Sequence, residues 1–352
     1  MKGNEALAEA AIRAGCKHFF GYPITPQTEV AAYFAKKLPK IGGTFLQAES
    51  EIAAINMVMG ASSAGIRAMT SSSSPGISLK SEGISYIAGC DLPCLIVNVQ
   101  RGGPGLGGIQ PSQSDYNQAT KAPGHGDFHL LVLAPSSVQE MVEFVSEAFD
   151  MAEIYRMPAM ILADGILGQM MEPVSFDEIK TRSVPEKTWA VDGHKNKREH
   201  NIINSLILKP ELLEKANFER FERYKLVAEK EQRYEEYLME DAEIVLVAFG
   251  ISARVAKSGI NKAREQGIKV GLIRPITLYP FPVNAFLKIQ DNPQINTILT
   301  VEMNMGQMIN DVKLAVNCKK PVELLNHTGG IVPSPKEVYE RILKISELNK
   351  NK

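Results

Sequence analysis

The stretch GTFLQAESEIAAINMVMGASSAGIRAMTSSSSP, residues 43–75, decides the fold. GTFLQ reads as a short strand and AMTSSSS as a second one. Between them, Glu51 to Gly65 is apolar and small, broken by Asn56, Ser62 and Ser63 and free of charge after Glu51. Strand, helix and strand in that order form a βαβ unit, whose two strands run parallel. Glu51, Ile55, Val58 and Ser62 share one helical stripe, and Ile52, Ile55, Met59 and Ser62 share another. A helix apolar nearly all round is expected to be buried. Ala53, Ala54, Gly60, Ala61, Ala64 and Gly65 remove bulk, so another backbone is expected to lie close. Glu51 then heads into the interior, while Glu49 precedes the helix and reaches solvent. A plainer reading is that Ser50 caps the helix and both acids complement its positive end.

The same rhythm extends in both directions. Upstream lie a helix over Asn4 to Gly15, the strand HFFGYP, and a helix opened by Thr25 or Pro26 that runs through Phe34. Downstream, CLIVNV, LLVLAP and PAMILAD are strands with helical segments between them. Residues 1–172 are therefore expected to form a doubly wound, mostly parallel α/β sheet covered on both faces. Residues 173–240 are polar, then dense in mixed charge at helical spacing, and are expected to form a charged connecting segment. From 241 to 352 the alternation returns with EIVLVAFG, IKVGLIRP, TILTVEMN and VELLNH as strands, which predicts a second, smaller α/β domain.

Composition narrows the function classes. The formal net charge is -1, and acids match bases throughout the charged segment, so no nucleic-acid or anionic-membrane partner is implied. No run approaches the length of a spanning helix, and the N-terminus has acids where a signal peptide would have an apolar core. Cys16, Cys90, Cys94 and Cys318 are too scattered for a disulfide framework or an iron–sulfur run. Cys90 and Cys94 lack a second cysteine pair or a nearby histidine, so buried thiols are expected and no metal site is assigned. A reduced, cytoplasmic protein fits this pattern.

GPGLGG, residues 103–108, matches the dinucleotide fingerprint letter for letter, but Ile109-Gln110-Pro111-Ser112 follows it instead of a helix. The loop matters for another reason. It leaves the carboxyl end of CLIVNVQ, where parallel sheets bind ligands, and Arg101 stands at its entrance. A guanidinium can donate two parallel hydrogen bonds to a carboxylate. A purely structural loop arginine is the alternative.

Taken together, GYPITPQTEV, QAESEIAAINMVMGAS, TSSSSPGISLKSEGISY, DLPCLIVNVQRGGPGLG, HGDFHLLVLAPSSVQE, RPITLYPFP and TVEMNMGQM resemble the α subunit of the 2-oxoacid:ferredoxin oxidoreductases. PGLGGIQPSQSDYNQATK and ILGQMMEPV look most like the branched-chain, 2-oxoisovalerate members. The resemblance implies a thiamine diphosphate pyrimidine-binding fold for residues 1–172 and a transketolase C-terminal-like domain for residues 241–352. It implies that Glu51 is the carboxylate at N1′ of the aminopyrimidine. It further implies that Thr25 and Arg101 bind the substrate, and that Ser74, Pro75 and Gly76 line the pyrimidine pocket.

Thiamine diphosphate would be shared with a β subunit that supplies the diphosphate and Mg2+ site, because ADG at 163–165 and VDG at 191–193 lack the context of a magnesium motif. Iron–sulfur clusters would sit on a ferredoxin-like partner subunit, with ferredoxin, coenzyme A and a 2-oxo acid as the reaction's other participants. Left open are 2-oxoglutarate or pyruvate as substrate, a related thiamine diphosphate 2-oxoacid decarboxylase, and a non-catalytic assembly subunit.

Overall fold

The computed structural model describes residues 1–177, 179 and 181–350. In the first half the strands are β1 (His18–Gly21), β2 (Thr44–Gln47), β3 (Ala68–Ser72), β4 (Leu95–Gln100), β5 (Leu131–Leu133) and β6 (Ala159–Asp164). The helices are α1 (Gly3–Arg13), α2 (Thr28–Lys37), α3 (Glu51–Ser63), α4 (Ser74–Gly89), α5 (Tyr116–Thr120), α6 (Val138–Tyr155) and α7 (Gly165–Gln169). Strands β3, β4, β5 and β6 are buried at every position, as expected of a sheet covered on both faces. The parallel order is β5-β6-β4-β3-β1-β2. With right-handed crossovers, α2 and α6 fall on one face with α1, and α3 and α4 on the other. The strand order reverses between β1 and β3, so the chain leaves those two strands toward opposite faces and opens a crevice at their carboxyl ends.

The second half contributes α8 (Pro210–Lys230), β7 (Tyr234–Tyr237), β8 (Ile244–Val247), α9 (Gly250–Glu265), β9 (Val270–Pro275), β10 (Thr277–Tyr279), α10 (Val283–Gln290), β11 (Thr297–Glu302), α11 (Met308–Ala315), β12 (Val322–Asn326) and α12 (Pro335–Lys350). Its sheet has the order β12-β11-β8-β9-β7, parallel except for β7.

Two strands cross the boundaries read from the sequence. β7 lies inside the expected connecting segment, yet pairs antiparallel with β9. β10 follows β9 closely in the chain, yet pairs antiparallel with β5 and extends the first sheet. The two sheets are thus stitched by the chain itself. Another difference concerns α2, which begins at Thr28 because Thr25 and Pro26 form a turn.

Helix α3 is less buried than its composition suggested. Glu51, Ala54, Ile55, Val58 and Ser62 are buried, as the stripe from Glu51 predicts. Ile52 is half-exposed, and Asn56 and Gly60 are open to solvent. The close approach expected of its small residues is made differently. A Cβ on Gly60 would meet nothing, whereas Gly65 lies against Ala190, and the tight contacts along α3 come from glycines of α4.

Candidate active site

Ser50 takes the N-cap position of α3, its Oγ accepting from Ala53 N at 3.2 Å. That cap fixes Glu51 as the first helical residue and turns its side chain inward, where it is 6% exposed. Glu49 stays exposed and accepts from Ser50 Oγ at 3.1 Å. Facing Glu51 is the start of α4. A Cβ on Gly76 would lie 2.1 Å from Ser72 Oγ and 2.8 Å from Glu51 Oε1, so the absent side chain leaves room for the carboxylate. One α4 face further on, Gly83 gives the same clearance to Ile55. Glycine at these positions brings α3 and α4 together around the acid.

The polar end of β3 surrounds that carboxylate. Ser71 donates to Gln27 Oε1 and is satisfied. Thr70 Oγ1, Ser72 Oγ and Ser73 Oγ are buried without a partner. Ser74 is satisfied several times over: its N–H donates to Asn98 Oδ1 at 3.1 Å and its Oγ donates to Asp115 Oδ2 at 2.6 Å. The Ser74 Oγ also accepts from Arg101 N at 3.0 Å, which ties the end of β4 to the start of α4. Pro75 at the first turn of α4 sits half-buried beside it.

Arg101 and Thr25 come together, as the sequence expected. The guanidinium is 7% exposed and donates to Thr25 O at 3.1 Å and to Leu106 O at 3.2 Å. Its Nε is buried without a partner. No carboxylate among the described residues pairs with it. The Thr25 side chain is exposed, and its turn is held where Asn4 Nδ2 and Gln169 Nε2 both donate to Pro26 O, at 2.8 and 3.1 Å. Beyond Arg101, residues 102–110 make a closed excursion and return, with Gly108 N donating to Gly102 O and Gly102 N to Gln110 O. No helix starts there, so the dinucleotide fingerprint is a chance match. Leu106 is 82% exposed and Ile109 58%.

Several residues of the site escaped the sequence reading. Asp115 accepts from Ser74 and from Asn98 Nδ2 (2.9 Å), and its N–H donates to Gln100 Oε1 at 3.1 Å. Burial raises the proton affinity of Asp115, and the bonds from Ser74 and Asn98 offset part of that rise. Two amides in an otherwise apolar strand, Asn98 and Gln100, were the available signal. Lys80 is fully buried with no hydrogen-bond partner for Nζ, and burial brings its pKa down to about 8 while Glu51 pulls it up. It is the lone cation in an apolar helix face.

Gln113 is buried between the two halves. Its Nε2 donates to Phe249 O, its Oε1 accepts from Ser252 Oγ and Met303 N, and its backbone bonds Met303 O and Asn304 Nδ2. Asp164, the acid of the ADG sequence, caps α7 by accepting from Ile166 and Leu167 N, and also accepts from Ile251 N. Cys90 and Cys94 are buried free thiols, and burial pushes Cys94 up to about 12. Among the described residues no group of three or more His, Cys, Asp or Glu side chains could hold a metal ion.

A parallel sheet with an inward carboxylate, unpartnered hydroxyls and an unpaired guanidinium at its carboxyl edge is the layout of a cofactor-binding α/β enzyme domain. Residues 9–240 match the family model described as pyruvate flavodoxin/ferredoxin oxidoreductase, thiamine diphosphate-binding, and residues 242–338 match pyruvate:ferredoxin oxidoreductase core domain II. The chain belongs to the 2-oxoacid:ferredoxin oxidoreductase family.

It is 50% identical to the ketoisovalerate oxidoreductase subunit VorB of Methanothermobacter marburgensis, over 98% of this chain and 97% of that one. It is 37% identical to the 2-oxoglutarate synthase subunit KorA of Methanocaldococcus jannaschii, over 97% and 98%. A solved 2-oxoglutarate:ferredoxin oxidoreductase from Magnetococcus marinus, with 2-oxoglutarate, coenzyme A and succinyl-CoA bound, superposes with a TM-score of 0.82 at 27% identity. That match covers 98% of this chain and 64% of the solved one. A split-gene transketolase shares the fold, with a TM-score of 0.59 at 14% identity.

Proposed function

We propose that this chain is the pyrimidine-binding subunit of an enzyme that oxidatively decarboxylates a branched-chain 2-oxo acid, 2-oxoisovalerate. The balanced reaction takes the 2-oxo acid and coenzyme A to the acyl thioester, carbon dioxide and a proton, and two electrons leave to ferredoxin. Arg101 carries this reading: a buried cation without a counter-ion, beside Thr25 and with an unpartnered Nε, is stabilised by an anionic ligand. The carboxylate common to all 2-oxo acids fits that demand.

The residues around Glu51 suit thiamine diphosphate, because Gly76 gives the inward carboxylate its room and the unpartnered Ser72 and Ser73 hydroxyls are polar groups left for a ring to satisfy. When bound, that cofactor supplies the nucleophilic carbon that attacks the 2-oxo group. Glu51 holds the proton at N1′ of the pyrimidine, and α4 keeps the carboxylate in place. Ser74 and Asp115 fix the backbone of Arg101, so the guanidinium is oriented before substrate arrives. Thr25 holds the guanidinium through its backbone carbonyl, and its exposed hydroxyl is left for substrate. Glu49, exposed and bonded to the cap, has a structural role.

Mg2+ and the diphosphate are assigned to a β subunit, and the iron–sulfur clusters to a ferredoxin-like subunit. Among the described residues no helix is long and apolar enough to cross a membrane. The four free cysteines suit a reducing compartment such as the cytoplasm. The branched-chain preference rests on the similarity to the ketoisovalerate subunits and on the apolar tips Leu106 and Ile109. A second carboxylate on the substrate would meet no cation in this loop, and burying it unpaired costs several kcal/mol. The test is kcat/KM for 2-oxoisovalerate, pyruvate and 2-oxoglutarate in the assembled enzyme. The branched acid should lead by ten- to hundredfold; a lead for 2-oxoglutarate overturns the assignment.

A further inference from the structure

We propose that Lys80 is a positioning residue for Glu51, its ammonium being the counter-charge that holds the Glu51 carboxylate in the crevice. Gly76 and Gly83 flank Lys80 on α4 at spacings of four and three residues, so the three share one helical face. That face lies on α3, since a Cβ at Gly76 would touch Glu51 and a Cβ at Gly83 would touch Ile55. Lys80 leaves α4 between those two contacts and is 0% exposed. Long helical side chains lean toward the helix N-terminus, which carries the lysine toward the level of Gly76 and the carboxylate.

Its Nζ has no hydrogen-bond partner, an arrangement a folded protein keeps only where a nearby charge offsets it. Of the elements packed on α4, α3 brings Glu51 as its sole titratable group and β4 brings none, while Asp115 meets α4 at Ser74, His125 at Ser85 and Tyr86, and Arg220 at Gly89. No direct ion pair joins the two, so Glu51, the one acid on the α3 face that meets α4, acts on the lysine through space. The role in catalysis rests on Glu51 serving the pyrimidine ring; the pairing itself does not.

The assembled complex provides the test. Lys80→Met keeps the length and removes the charge, and Lys80→Arg keeps the charge. Thiamine diphosphate affinity, read by titration, should fall about tenfold in Lys80→Met at pH 7. In the wild type it should decline as pH rises through about 8, where the ammonium titrates, and Lys80→Arg should abolish that decline. A Lys80→Met complex with wild-type affinity and the wild-type alkaline decline overturns the proposal.

A second measurement needs no change at Lys80. Burial lowers the lysine's folded pKa below its unfolded value, so between the two the unfolded chain binds more protons and stability rises with pH. Glu51→Gln takes away the attraction and lowers the folded pKa further, so the penalty grows at pH 7. The melting deficit of Glu51→Gln against wild type should therefore shrink as pH climbs toward 10. A deficit independent of pH refutes the pair. Unchanged cofactor affinity in Glu51→Gln alongside a pH-dependent deficit would instead sink the cofactor role of Glu51 and leave the pair standing.

Discussion

Gly76→Ala separates the shaping of the crevice from the stability of the fold. The helix itself gains from the change, since alanine is favoured over glycine by about 1 kcal/mol in a helix interior and by part of that in the first turn, where Gly76 sits. Gly76 has no positive φ, so the backbone accepts a side chain. The new methyl would stand 2.1 Å from Ser72 Oγ, 2.8 Å from Glu51 Oε1 and 3.2 Å from Glu51 Cγ. Ser72 can rotate without losing a hydrogen bond, because its hydroxyl makes none. Glu51 has no such freedom: Ile55 and Gly83 close the helix pair one turn on, so the carboxylate must swing by roughly 0.5–1 Å. Overpacking of this kind costs about 1–3 kcal/mol, and the helix gain returns part of it, so the net loss should be about 1 kcal/mol. A misplacement near 1 Å at a reacting group costs about a hundredfold in rate. The assembled variant should therefore melt within a few degrees of wild type while proton–deuterium exchange at the thiazolium C2 slows about a hundredfold. Glu49→Gln is the matched control and should change neither. Wild-type exchange in Gly76→Ala would refute the placement of Glu51 against the start of α4.

Arg101→Lys should lower kcat/KM by about ten- to a hundredfold, mainly through KM, because an ammonium cannot both bond the carbonyls of Thr25 and Leu106 and present a planar fork to a carboxylate; steady-state kinetics on the complex checks it. Gln113→Ala should destabilise the chain by about 2–4 kcal/mol, since it strands Phe249 O, Met303 N and Ser252 Oγ at a buried seam; denaturant unfolding measures this, and a loss under about 0.5 kcal/mol contradicts it. Burial raises Asp164 to about 6, above its unfolded value, so its protonated form binds more tightly in the fold. The stability it contributes is complete below the unfolded pKa and is lost as pH rises through about 6. The difference in melting temperature between Asp164→Asn and wild type should therefore change between about pH 4 and 6 and stay flat above about 7.

The parts legible in the sequence are those set by local pattern. Apolar runs such as CLIVNV and PAMILAD became β4 and β6, and the stripe from Glu51 predicted the buried face of α3. What stayed hidden depends on distant partners. YEEY reads as part of a charged helix, yet it is the strand β7, because Glu235 pairs with Lys257 and Arg274 and Glu236 with Lys288 once the sheet assembles. β10 has three residues and no periodicity, and its identity comes from the exposed edge of β5. Arg101 could be named because it follows a strand, and Thr25 through the family resemblance, while Asp115 could not, since its partners Ser74 and Asn98 lie on two other elements.

The second domain also contains a topological switch point, between β8 and β11, where an open α/β sheet ordinarily binds a ligand. Here Gln113 fills that place. Phe249 and Ser252 follow β8, Met303 and Asn304 follow β11, and the single glutamine side chain and its backbone bond all four. Tyr116 adds a bond to Asp311 Oδ2 at 2.5 Å, and Lys121 an ion pair to the same carboxylate at 2.6 Å. The crevice that would take a small molecule takes the loop behind Arg101 instead. From the other side, Gly102 and Gln110 lie against Gly329 and Gly330 of the loop after β12. The excursion bearing Leu106 and Ile109 is thus braced at its base by the second domain, while at its tip Arg101 holds the Leu106 carbonyl and the side chains face solvent. Loops positioned by rigid scaffolds carry specificity, and this one rests on two scaffolds at once. On the proposed reading of the loop, the second domain would act on substrate choice by fixing where the loop begins and ends.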